Sequence, residues 1–124
     1  MRYITPLKAA EGLGASHTGT QQHWMLTVTA VALAVLTPFF LWAVGGAIGL
    51  DHPGVVAHFS RPFPSVVTGL FIVIGLLHFI LGTRIMIDDY LKGGARKLAI
   101  IASVALSWLV IAVTVFALAK LVLN

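Results

Sequence analysis

No formal charge lies between Glu11 and Asp51, between Arg61 and Arg84, or between Lys97 and Lys120. Each gap exceeds the roughly 20 apolar residues needed to cross a hydrocarbon core of about 30 Å. Within lipid, a single segment satisfies its own backbone hydrogen bonds only as an α-helix. Three such gaps therefore predict an all-α membrane protein with three transmembrane helices. Composition agrees: the chain is 59% hydrophobic and 10% charged, whereas a soluble domain carries about a quarter charged residues.

Residues 1–22 read as a polar leader in which Gly12, Gly14 and Gly19 interrupt any helix. The first span is expected over about 24–49. Its Trp24 and Trp42 are 18 residues apart, about 27 Å along a helix, which suits one indole at each membrane interface. Pro38 falls inside this span and is expected to kink it rather than end it. The stretch from Leu50 to Phe63 reads as a turn-rich connection. The second span is expected over about 64–90, the third over about 98–119, with Lys92, Gly93, Gly94, Arg96 and Lys97 as a short basic loop between them. No separate soluble domain is indicated, and residues 1–124 form one transmembrane unit.

The basic residues set the orientation. Arg2 and Lys8, with Arg84, Lys92, Arg96 and Lys97, stand on one side against Arg61 and Lys120 on the other. The positive-inside rule places the N-terminus and the second loop in the cytoplasm. Because these cations sit at helix ends, they argue for contacts with anionic lipid headgroups and against a nucleic-acid surface. There is no cysteine, so this chain brings no disulfide and no iron–sulfur ligand. The N-terminus has neither the short apolar core of a secretory signal nor the Arg- and Ser-rich character of an organelle transit peptide, which favours a bacterial membrane.

Five histidines are present. His17, His23, His52 and His58 lie in or beside polar segments and read as solvated or headgroup-level side chains. His78 lies near the middle of the second span among Leu76, Leu77, Phe79, Ile80 and Leu81. An imidazole at that depth is costly and marks a functional position. Two readings stay open for it: a haem ligand, or a neutral side chain hydrogen-bonded to a neighbouring helix. Gly75 and Gly82 flank it on nearly the same helix face, leaving room for a flat macrocycle or for another helix. A bis-histidine haem needs a second imidazole, and no other stands at mid-membrane depth, so the chain reads as a subunit. Asp89 returns to the His78 face about 20° away. Asp88 and Asp89 also oppose the helix macrodipole at a C-terminal end, a placement easier to tolerate where the acids have partners or a role. Tyr90 adds a phenolic O–H that can donate to a quinone carbonyl.

The run from His78 through Gly82 to Asp89 and Tyr90 resembles the His-x3-Gly-x6-Asp-Tyr signature of the small, b-type cytochrome membrane anchor of succinate dehydrogenase, respiratory complex II. Lys92 and Gly93, and the segments from Gly12 to Trp24 and from Thr29 to Leu33, are similar to the bacterial form of that subunit. The resemblance extends over essentially the whole chain and implies specific roles. His78 would be an axial ligand of haem b, with the second ligand from a companion anchor subunit in a shared helical bundle. Tyr90 would hydrogen-bond ubiquinone and Asp89 would be the neighbouring acid. Arg84 would be a candidate partner for a haem propionate. Iron–sulfur and flavoprotein subunits would deliver electrons from succinate, so this chain would be a non-autonomous part of an enzyme of the tricarboxylic acid cycle and respiratory chain in a bacterial inner membrane. One departure stands out: Leu26 and Thr27 occupy positions where bacterial relatives often carry Gln-Arg. An anchor for fumarate reductase or another quinone-linked dehydrogenase, or a non-catalytic three-helix assembly protein, would share the fold.

Overall fold

The computed structural model describes residues 5–10 and 19–124. His17, Arg2, Gly12 and Gly14 of the leader lie outside the described residues. Among those described, the chain is helical throughout: α1 (Pro6–Ala10), α2 (Gly19–Gly45), α3 (His52–Phe59), α4 (Pro62–Tyr90) and α5 (Gly93–Leu123). Helices α2, α4 and α5 are each long and apolar enough to cross a membrane. The chain is a multi-pass membrane protein.

Three local features differ from the sequence expectation. Gly19 opens α2 rather than interrupting it, so residues 19–22 are already helical. The connection after α2 contains a helix of its own. Asp51 caps α3, its Oδ1 accepting from the Gly54 N–H at 3.0 Å, and a proline stands in the first turn; both are strong helix-start features. Finally, α5 begins at Gly93, so only Leu91 and Lys92 separate it from α4. Gly93 takes φ +63°, which a glycine adopts without strain, and lets the chain reverse there. Arg96 and Lys97 consequently stand in the first turns of α5. Arg96 Nε donates to Asp88 Oδ1 at 2.6 Å and ties the end of α4 to the start of α5.

Pro38 lies inside a continuous α2. The end of that helix is closed from outside. Ala47 and Ile48 turn back to Val44 and Gly45 with N···O distances of 3.0 and 3.2 Å, and Gly49 adopts φ +85°. The tightened turn leaves the Ala43 carbonyl without its helical N–H, and His58 of α3 fills the gap, its Nε2 lying 2.8 Å from that oxygen. His58 is half-buried and structural, in contrast to the solvated side chain expected from its polar surroundings.

Helix α4 is the shared element. α2 and α5 each pack along it, while their backbones do not approach one another; α3 rests on α4 and α5. The α2–α4 register is antiparallel: Thr29 meets His78, Leu33 lies against Gly75, and Phe40 stacks on Phe71 with centroids 4.0 Å apart. On the opposite side of α4, Gly69 faces Leu118 of α5. Among the described residues, buried positions are few and mostly small: Thr29, Ala43, Pro64, Ser65, Val67, Thr68, Ile87, Ser107 and Ile111. Small residues let membrane helices approach closely where no hydrophobic drive separates protein from lipid. Hydroxyls of Thr29, Thr37, Ser103 and Ser107 bond carbonyls of their own helices, which satisfies them in an apolar setting. Thr68 Oγ1 is buried with no hydrogen-bond partner.

Candidate functional site

His78 points from α4 toward α2, and its Nδ1 lies 2.9 Å from Thr29 Oγ1. Thr29 is 7% exposed, and its hydroxyl also lies 2.9 Å from the Met25 carbonyl and 3.0 Å from that of Leu26. A hydroxyl carries one proton. If it went to His78, both close carbonyl oxygens would face Oγ1 with no proton between, a repulsive arrangement. The consistent pattern has Thr29 donating to its own helix and accepting from Nδ1–H. The imidazole is then the Nδ1–H tautomer, and Nε2 carries an available lone pair. Nε2 has no hydrogen-bond partner among the described residues. The two readings left open for His78 are therefore compatible: it is bonded to a neighbouring helix through one nitrogen and free at the other.

The two flanking glycines divide by role. A Cβ on Gly75 would touch Leu33 at 3.8 Å, ordinary helix packing against α2. A Cβ on Gly82 would meet nothing within 4 Å. The helix surface at Gly82, one turn from His78 toward Tyr90, is thus open. Among the described residues, no three His, Asp or Glu side chains come together, so His78 would be a lone donor. That donor set suits a haem iron completed by a second chain better than a metal ion held by this chain alone.

At the other end of the same helix, Asp88 is occupied by Arg96. Asp89 and Tyr90 are exposed and have no side-chain partner among the described residues, with Tyr90 83% exposed. They stand 11 and 12 residues after His78, about 17–18 Å along the axis. Arg84 is exposed and likewise unpaired among the described residues. Its six-residue spacing turns it about 120° from the His78 face, so the helix does not bring the two together. A groove of about 700 Å³ lined by Trp42, Gly46, His58, Arg61 and Phe63 opens at the far end of the bundle, and His78, Asp89 and Tyr90 do not line it.

Sequence reasoning assigned no role to Thr29 or His58. Both depend on which helices meet. Thr29 is one of several hydroxyls in the first apolar span, and nothing in its spacing separates it from Thr37.

The whole chain up to residue 119 matches the family described as succinate dehydrogenase/fumarate reductase transmembrane subunit. It is 61% identical over 121 residues to the succinate dehydrogenase hydrophobic membrane anchor subunit of Paracoccus denitrificans, covering 98% of this chain and 94% of that protein. The anchor subunits of the same name from Rickettsia typhi and Rickettsia prowazekii are each 31% identical over 71 residues, 56% of this chain and 57% of theirs. No solved structure matches. With the three spans and the residue 1–119 match together, the chain belongs to the succinate dehydrogenase/fumarate reductase transmembrane subunit family.

Proposed function

We propose that this chain is the hydrophobic membrane anchor of a bacterial succinate dehydrogenase, in which His78 supplies one axial ligand to a haem b and Asp89 with Tyr90 forms part of a ubiquinone-reduction site. The observation that carries the reading is His78 itself: a mid-span imidazole held through Nδ1, with Nε2 unbonded among the described residues and an open helix surface one turn away at Gly82. The extent of identity to the Paracoccus denitrificans anchor supports the succinate direction over a fumarate reductase. A companion anchor subunit supplies the second imidazole. Flavoprotein and iron–sulfur subunits dock on the cytoplasmic side and pass on electrons from succinate.

Each residue has a defined task. His78 binds through Nε2 while α2 fixes its ring. Tyr90 donates its O–H to a quinone carbonyl and orients the ring at the interface. Asp89 places a carboxylate beside it that can pass protons inward, so that a quinone taking up two electrons also receives its protons from the aqueous side. Arg84, exposed on a different face of α4 from His78, is the cation this chain would offer to a propionate. A b-type haem, when bound, exchanges one electron at a time between its ferric and ferrous forms.

The test is replacement of His78 by Leu in the purified complex. Loss of the b-type absorption per flavin, with assembly of the remaining subunits retained, is expected. An unchanged spectrum would remove the ligand assignment.

A further inference from the structure

We propose that Thr29 is a positioning residue for the His78 ligand, its hydroxyl setting the tautomer, the ring orientation and the donor strength of the imidazole. The inference rests on the reading of His78 as a haem ligand. It goes beyond that reading by assigning the control of the ligand to a different helix.

The geometry is specific. Thr29 Oγ1 is 2.9 Å from Nδ1 of His78, and its own proton is directed to carbonyls of Met25 and Leu26 within α2. The hydroxyl is therefore a fixed acceptor, not a free rotor. It is 7% exposed, so water does not compete for the bond. Ligating histidines characteristically give their second N–H to such an acceptor, which fixes the ring and raises its basicity. A more basic imidazole favours ferric over ferrous iron, so this hydrogen bond should hold the midpoint potential down.

Removing the hydroxyl while keeping the shape tests this directly. In the purified complex, Thr29→Val should raise the midpoint potential of the haem. A tenfold loss of preference for the ferric form corresponds to about 59 mV for one electron. The low-spin ferric EPR signal should shift as the ring loses its anchor, and haem retention should weaken by about 10- to 100-fold. Thr29→Ser keeps the hydroxyl and should restore both potential and EPR signal toward wild type. If the Val variant does not accumulate, Thr29→Cys retains a group of similar size with only a weak sulfur acceptor, and an upward shift is again expected.

A wild-type potential and EPR signal in Thr29→Val or Thr29→Cys would overturn the proposal. So would equal shifts in the Ser and Val variants, which would assign Thr29 to packing. These outcomes are separable from failure of the underlying reading. If His78→Leu keeps its b-type spectrum, the ligand assignment fails. If His78→Leu loses it while Thr29→Val is unaltered, only the role of Thr29 fails.

Discussion

His58 on α3 places its Nε2 2.8 Å from the carbonyl oxygen of Ala43, closing the end of α2 with a side chain 15 residues away in sequence. The ring fits because Gly46 has no side chain: a Cβ there would stand 3.0 Å from Cε1 of the imidazole. Substituting His58→Phe keeps the ring and removes the donor, leaving a sheltered carbonyl unpaired. The expected loss is about 1–3 kcal/mol, visible as a lower thermal midpoint of the detergent-solubilised complex. A midpoint within error of wild type would show that water caps Ala43 equally well.

The adjacent carboxylates at the end of α4 should behave differently. Asp88 is paired with Arg96 across partly exposed side chains. Pairs of this kind are worth about 0.2–1 kcal/mol and weaken as salt is raised. Asp88→Asn should therefore cost little stability, with a difference that shrinks at high salt, and should spare quinone reduction. Asp89→Asn should leave stability alone and slow quinone reduction. Equal effects of the two on turnover would contradict this division.

Tyr90→Phe removes a single hydroxyl from a side chain that is 83% exposed in this chain, so folding should be untouched. Losing a hydrogen bond of about 1.5 kcal/mol to a quinone carbonyl corresponds to about a tenfold loss of rate. Succinate-to-ubiquinone turnover should fall by that order while succinate oxidation by an artificial dye is preserved. Parallel loss in both assays would argue that Tyr90 acts in assembly.

The two glycines around His78 make opposite predictions. Gly82→Leu meets no neighbour within 4 Å of its Cβ, so the helix bundle should insert normally. Its side chain would nevertheless fill the open helix surface one turn from His78, and haem content per flavin should drop several-fold. Gly75→Leu instead presses on Leu33 and should weaken the packing of α2 on α4. Its signature would be reduced accumulation of the subunit in the membrane. Full haem content in Gly82→Leu would place the macrocycle elsewhere.

The three spans were legible because lipid demands long uncharged segments, and charge-free length needs no tertiary information. His78 stood out for the same reason, as an imidazole where only apolar groups are inexpensive. The finer features were hidden for a physical cause. Whether Thr29 or Thr37 meets His78 depends on the antiparallel register of α2 against α4, which side-chain packing sets and a single apolar pattern does not encode. The small helix α3 was obscured by Pro53 and Gly54, read as turn residues, although the Asp51 cap and a first-turn proline are equally a helix start. The contrast between Gly75 and Gly82 likewise depends on what lies opposite each one.

Because α2 and α5 both lean on α4 with their backbones kept apart, and α3 links the two only at the end where His58 meets Ala43, the chain is in effect a rod whose two sides are largely separate near His78 and Asp88. A small tilt of α2 is felt at Thr29 and hence at the imidazole. A small tilt of α5 is felt through Arg96 at Asp88, next to the pair that would meet quinone. The continuous helix from His78 to Asp89 and Tyr90 fixes the axial spacing of the two chemistries whatever the neighbours do. Membrane thickness or a docked subunit could therefore retune the electron carrier and the quinone end separately, with the distance between them unchanged.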